Sequence, residues 1–388
     1  MYGAQLIEAL RLRDPALTFF GAGGERMRAA GCDIVVDAKD LAVVGITEVV
    51  SHLKKILGLY KKLIGAADER RPALAVVIDS PAFNWRVARQ MRKRGIPVVY
   101  YVCPQFWAWR QGRVKLLRKY VNKALVIFPF EEKFYRDRGV DATFVGHPLA
   151  DLPMPAITRA EYAAQHSLDP AKPWITLMPG SRRKEVGMIL PTVLEAAARL
   201  GRAYEFLLPV ARTLEPNFLR ELIKRTWAAL PTHPPKQSSG GAPAPAIHLV
   251  PDALPALRHA RTAIVASGTA TVEAALMETP FVMVYRISPL TYALGKPRVK
   301  VPHFAMVNLI AGEKIVPELV QQNFRAENIV TELAKIIPDG PERETMIRGL
   351  KSVREKLKKP DGAGHSSANS VLAHPADRAA EIILQMLK

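Results

Sequence analysis

The chain has 388 residues, 49% hydrophobic and 23% charged, which suits a large protein of about two domains. No apolar run approaches the roughly 20 residues that cross a bilayer as a helix, and no secretory signal is visible. The formal net charge of +19, more than half of it before residue 151, calls for an acidic partner: nucleic acid, an anionic membrane or phosphorylated small molecules. No zinc-finger spacing, RNA-recognition signature or basic low-complexity tail is present, which argues against nucleic acid. The two cysteines, Cys32 and Cys103, are too few and too scattered for a zinc site or a disulfide framework and read as buried thiols of a reducing cytoplasm.

Residues 1–10 read as a helix, with Ala4, Leu6, Ile7 and Leu10 on or near one face. Leu17 to Phe20 reads as a short strand, then Gly21-Ala22-Gly23-Gly24 as a glycine turn of the phosphate-binding kind and a helix from about Glu25. The glycine spacing is not that of a dinucleotide fingerprint. From Ile46 to Ile64 apolar residues recur at helical spacing, with Lys54, Lys55, Lys61 and Lys62 between Ile56, Leu57 and their neighbours. Such a helix either packs on a sheet with solvated lysines or rests part of its stripe on an anionic membrane. Leu74 to Ile78 is a continuous apolar run, as in a central parallel strand, and Asp79 stands where it ends. An aspartate there is a helix cap, a ligand to substrate hydroxyls or a general base. After a strand at Val98 to Val102 come Trp107-Ala108-Trp109-Arg110, whose rings either pack in the core or form a flat binding wall beside the arginine. Another βα unit follows at Ala124 to Phe128 and Pro129. His147, at a further strand end, reads as a structural hydrogen-bonding residue or a substrate contact, and the proline-rich Leu152 to Ala156 as a linker.

The second half repeats the pattern, with strands expected at Trp174–Leu177, Glu205–Pro209, Ile247–Val250, Ala263–Ala266 and Phe281–Tyr285. Two of them run into turns of one type. Gly180-Ser181-Arg182 follows the first: the glycine admits close approach, the serine can cap the next helix and the arginine adds a cation. Ser267-Gly268-Thr269 follows the fourth, with Glu273 one turn inside the helix. Free N–H groups at a helix start meet phosphate, and a carboxylate can accept two adjacent ribose hydroxyls. Together they suggest a nucleoside diphosphate held in this half. Pro231 to Ala246 reads as a flexible loop, Met306 to Gln321 as a polar loop into a helix, and the tail as helical with a break at Pro360 to Ser370.

With these segments in place, the sequence resembles the lipid-A-disaccharide synthase family. The matching pieces are residues 21–24, 44–49, 78–84, 107–110, 128–131, 146–148, 179–182, 267–270 and 308–312, in order along nearly the whole chain. The resemblance implies an α/β GT-B fold, two Rossmann-like domains facing across a cleft: residues 1–151 toward acceptor and membrane, residues 157–360 for the UDP-sugar, and a helical tail at 361–388. It implies transfer of diacylglucosamine from UDP-2,3-diacylglucosamine to 2,3-diacylglucosamine 1-phosphate (lipid X), with inversion to a β(1→6) linkage and release of UDP. Asp79 matches the family's general base. Arg182, with Gly180, Ser181, Ser267, Gly268 and Thr269, would take the diphosphate and Glu273 the ribose. Trp109, Arg110, His147, Asn308, Glu318 and Gln321 would contact substrate, and Lys54, Lys55, Ile56, Leu57, Lys61 and Lys62 an anionic inner-membrane surface. No metal or other cofactor is expected, since no Asp-X-Asp pair of the cation-holding kind is seen. The expected place is the cytoplasmic side of the inner membrane, with homodimerisation left open. Family members usually begin with a strand and a Gly-Glu-Ala-Ser-Gly-Asp loop before a segment like Tyr2-Gly3-Ala4-Gln5, and this sequence starts after both. The competing expectations are another GT-B UDP-sugar transferase or epimerase, or a catalytically impaired UDP- or lipid-binding protein.

Overall fold

The computed structural model describes residues 1–41, 46–150, 153–230, 245–358 and 374–388. Part of the 44–49 segment, most of the Pro231–Ala246 loop and the break in the tail therefore lie outside the described residues. The chain divides into two units: unit 1 is Met1–Asp151 with Leu357–Lys388, and unit 2 is Leu152–Lys356. The tail expected as a separate helical piece thus belongs to unit 1. Its helix Pro375–Leu387 packs on the first helix, Tyr2–Arg13, and Arg13 pairs with Asp377 at 2.8 Å.

Unit 1 carries strands β1 (Phe19–Gly23), β2 (Cys32–Asp37), β3 (Ala75–Ile78), β4 (Val98–Tyr101), β5 (Lys123–Val126) and β6 (Ala142–Phe144). All pairings are parallel and fall into two pieces, β1–β2 and β3-β4-β5-β6. The glycine turn expected after β1 is instead strand. Gly21 to Gly23 pair with β2 across a register shift between Gly21 and Ala22, and none of Gly21, Gly23 or Gly24 adopts positive φ. A bulge, not a phosphate loop, accounts for those glycines. Helix Ile46–Arg70 packs Leu63, Ile64 and Ala67 on the β3–β6 core, while Lys54, Lys55, Lys61 and Lys62 stay exposed on its other side.

Unit 2 holds β7 (Trp174–Met178), β8 (Glu205–Pro209), β9 (Ile247–Val250), β10 (Thr262–Ala266), β11 (Phe281–Tyr285) and β12 (Glu318–Val320) in one parallel sheet. Continuous apolar runs such as Thr262–Ala266, buried at every residue, are what a sheet covered on both faces demands. The order is β12-β11-β10-β7-β8-β9. From β7 the chain winds outward through β8 and β9, then returns to the other side of β7 with β10 and winds the opposite way. That is the doubly wound Rossmann order, and its reversal lies between β7 and β10. The segment read as loop-then-helix is the reverse: helix Met306–Ala311 comes first, and Glu318–Val320 becomes the edge strand because its backbone pairs with β11.

Candidate active site

Ligands of open α/β sheets bind at the carboxyl ends of strands where the winding reverses. In unit 2 that place is formed by the turns after β7 and β10, and both are the turns singled out by sequence. Gly180 sits at φ +115° and Gly268 at φ +135°, backbone that side-chain-bearing residues rarely adopt. After Gly180, Ser181 and Arg182 are exposed and Arg182 is the N-cap of helix Arg183–Leu200. The Thr213 hydroxyl donates to the Ser181 carbonyl at 2.5 Å and pins the turn from β8's side. After Gly268, helix Thr269–Leu276 begins, and the Thr271 hydroxyl donates back to the Gly268 carbonyl at 2.8 Å. Two adjacent parallel strands therefore deliver two helix starts side by side, each with the positive end of a peptide dipole.

Glu273 lies one turn inside the second helix. Burial pushes its carboxyl pKa up, and it has no hydrogen-bond partner among the described residues. A part-buried acid without a partner carries a desolvation cost that a ligand hydroxyl pair can relieve.

Asn308, Glu318 and Gln321, expected to touch substrate, are committed by the structure to the protein's own backbone. Asn308 is fully buried; its amide donates to the Val316 carbonyl and to Glu318, and its oxygen accepts from the Ile315 and Val316 N–H groups. Glu318 accepts from the N–H groups of Phe304 and Ala305. The Phe304 carbonyl in turn accepts the Ser267 hydroxyl at 2.9 Å. Asn308 and Glu318 thus brace the β10 turn from behind. Gln321 closes a two-way bridge to Ile287, accepting from its N–H and donating to its carbonyl.

In unit 1 the singled-out residues stand at the carboxyl ends of β3, β4 and β6, with Glu131 just past the end of β5. Asp79 ends β3 at φ 47° and Ser80 follows at φ 44°, two consecutive non-glycine residues in left-handed backbone. Each costs about 1–3 kcal/mol, so surrounding bonds must hold them. They do: Asn84 donates to the carbonyls of Ile78 and Asp79, the Tyr100 hydroxyl donates to the Asp79 carbonyl at 2.7 Å, and the Asp79 N–H donates to Tyr101. Every bracing bond goes to the backbone, which leaves the exposed carboxylate free to act.

Beyond β4, the short helix Phe106–Trp109 separates its two indoles. Trp107 is buried and donates to Glu131 at 2.8 Å, whereas Trp109 is 46% exposed with the Arg110 guanidinium 3.8 Å from its ring centre. Arg110 thus stacks as a cation on the exposed Trp109 ring. Glu131, which the sequence reading left without a role, is 1% exposed and also accepts from the N–H groups of Ile127 and Phe128. Its place five residues after the end of β5, just inside a helix start, was the available signal.

His147 departs from the substrate-contact expectation. It is 1% exposed, its ring packs on Phe128, its Nδ1 accepts from the Leu149 N–H, and its backbone N–H donates to the Leu357 carbonyl. Burial lowers its pKa to about 4, so it is a neutral structural residue. Cys32 and Cys103 are free, buried thiols with pKa pushed up by burial. Among the described residues no helix is long and apolar enough to cross a membrane.

Comparison with known proteins matches this geometry. A family model described as lipid-A-disaccharide synthetase fits residues 1–371. The chain is 52% identical to the lipid-A-disaccharide synthase of Koribacter versatilis, over 96% of this chain and 95% of that one. It is 49% identical to the synthase of Acidobacterium capsulatum, over 98% and 94%. Among solved structures, the glycotransferase of kitacinnamycin superposes with a TM-score of 0.61 at 15% identity, covering 100% of this chain and 97% of that one. A UDP-GlcNAc 2-epimerase from Neisseria meningitidis, bound to UDP-GlcNAc, superposes at 0.53 and 12% identity, over 99% and 95%. These remote likenesses carry the GT-B fold alone. With a family model matched over residues 1–371 and relatives about half identical covered to 94–95% of their length, the chain belongs to the lipid-A-disaccharide synthase family of glycosyltransferases.

Proposed function

We propose that the chain joins UDP-2,3-diacylglucosamine to 2,3-diacylglucosamine 1-phosphate, with unit 2 holding UDP at the β7 and β10 turns and Asp79 of unit 1 activating the acceptor. The acceptor 6-hydroxyl gives its proton to the Asp79 carboxylate as its oxygen attacks the anomeric carbon. The bond from that carbon to the β-phosphate oxygen breaks with its electron pair going to UDP, and the α-linked donor becomes a β(1→6) disaccharide. Arg182 and the N–H groups of Ser181 and Thr269 stabilise the charge gathering on UDP, and Glu273 accepts the ribose hydroxyls. Trp109 and Arg110 offer an aromatic and cationic platform to the acceptor sugar phosphate. Of all the observations, the one that carries the reading is the pair of positive-φ glycine turns on adjacent strands at the winding reversal.

Its direct test is UDP binding by calorimetry to the full chain and to Glu273→Ala. Loss of a charge-assisted pair of hydrogen bonds is expected to weaken UDP by about 10- to 100-fold, from about 1.5–3 kcal/mol. The same variant should bind inorganic pyrophosphate as the wild type does. Equal UDP affinity in both proteins would remove Glu273 from the ribose.

The substrates are lipids, and the exposed face of helix Ile46–Arg70 fits a peripheral position on the cytoplasmic side of an anionic inner membrane. Leu57 is 49% exposed among the exposed Lys54, Lys55, Lys61 and Lys62, beside the partly buried Ile56. Each lysine near an anionic surface contributes about 1 kcal/mol, so Lys61→Gln with Lys62→Gln should weaken association with phosphatidylglycerol vesicles about 30-fold. Co-sedimentation at low salt checks it. Unchanged partitioning would place the membrane-facing surface elsewhere.

A further inference from the structure

The β7 turn already contains an anion. The Ser181 N–H, the first donor that a phosphate would meet there, donates to Oε2 of Glu185 at 3.2 Å. An ordinary capping box would have the third helical residue reach back to the N–H of the N-cap. Here the N-cap is Arg182, and Glu185 reaches one residue further, over the turn itself. Gly180 makes that reach feasible: a Cβ at this position would overlap the Glu185 carboxylate. The glycine therefore serves two ends, the φ of +115° and the space that the carboxylate fills. From the far side stands Tyr285, at the end of β11, whose hydroxyl pKa is raised by burial first and by the Glu185 charge second.

Resting on the assignment of this turn to the diphosphate of UDP, we infer that Glu185 is a resident counter-anion that occupies the phosphate seat between turnovers and must yield it for UDP to bind. Two anions cannot share one N–H donor at a helix start without strong repulsion. The carboxylate satisfies the turn while it is empty, keeps the left-handed glycine and the helix start in place, and gives way when the diphosphate enters. When the sugar has been transferred, its return competes with the product UDP. Affinity is sacrificed for release, which suits an enzyme whose leaving group carries the tightest-binding part of the donor.

The test compares wild type with Glu185→Gln and Glu185→Ala on the full chain, using calorimetry with UDP and with uridine. Gln keeps the shape and an oxygen that accepts from the Ser181 N–H, so it removes charge without removing the bond. Expected is a UDP affinity about three- to tenfold higher in Glu185→Gln, the size of one charge interaction at a helix terminus, with uridine unchanged. Product inhibition by UDP should strengthen by the same factor. Glu185→Ala, which lacks the acceptor as well, should match or exceed that gain provided its melting temperature stays at the wild-type value. UDP affinity unchanged or weakened in Glu185→Gln, with wild type binding UDP normally, overturns the inference and leaves the site assignment standing. Wild type that binds uridine no more weakly than UDP overturns the phosphate assignment of the turn, and the inference with it.

Discussion

Asp79→Asn is expected to lower turnover by about 10²- to 10⁴-fold, the contribution of a positioned general base, while UDP affinity stays at the wild-type value. The asparagine keeps size and polarity, and every bond that holds residue 79 in its left-handed backbone goes to main-chain atoms, so the loop should survive the change. Asparagine also tolerates that backbone better than most residues. The separation of effects follows from the proposed division of labour: the turns after β7 and β10 belong to unit 2 and Asp79 to unit 1. Release of UDP from UDP-2,3-diacylglucosamine and lipid X measures the first quantity and calorimetry the second. Turnover within threefold of wild type would exclude Asp79 as the base. Loss of UDP binding together with turnover would instead make it part of the nucleotide site.

The second large effect concerns acidity and stability. Glu131 is fully enclosed, and burial pushes its pKa up to about 7 against the pull of three N–H donors from Trp107, Ile127 and Phe128. Its folded-state value lies above the unfolded one, so the stability it contributes is complete below about pH 4.5 and is lost as pH rises through about 7. At 1.36 kcal/mol per unit, that is about 3 kcal/mol. His147, lowered to about 4, works in the other sense: its contribution is complete above about pH 6.5 and disappears as pH falls through about 4. The two run against each other over the same interval, and unit 1 is left with a nearly flat profile from this pair. Glu131→Gln exposes the slope. The stability difference between wild type and the variant, from urea unfolding at pH 4.5 to 8, should shift against the wild type by about 3 kcal/mol as pH rises. A difference independent of pH would mean that the three donors hold the carboxylate charged throughout.

Much of the unit 2 fold was legible because its strands are continuous apolar runs separated by helical periods: β8, β9 and β11 fall at the expected bounds, and β7 and β10 within one residue. The order of those strands was not, since register and neighbour choice are set by contacts far apart in sequence. The positive-φ turns after β7 and β10 were legible because glycine followed by serine or threonine at a strand–helix junction has a direct backbone reason. The same reasoning misread Gly21 to Gly24, where a bulged strand also needs small residues and no φ is positive. Asp79 was visible at its strand end, but as one of three chemistries, and only the family resemblance favoured one. The structural bonds of His147, Asn308, Glu318 and Gln321 were not legible, for a common reason. A polar residue near a strand end looks alike in sequence whether it faces a ligand or a buried peptide group, and these four have buried peptide groups as partners. Glu131 and Glu185 escaped notice in the opposite way, as acids near helix starts where acids are common.

The Pro375–Leu387 helix rests on the Tyr2–Arg13 helix, so unit 1 is assembled from two segments that lie on either side of unit 2 in sequence. Arg13 and Asp377, which join the two helices, lie 364 residues apart, so this contact of unit 1 closes only after residues 152–356 have been made.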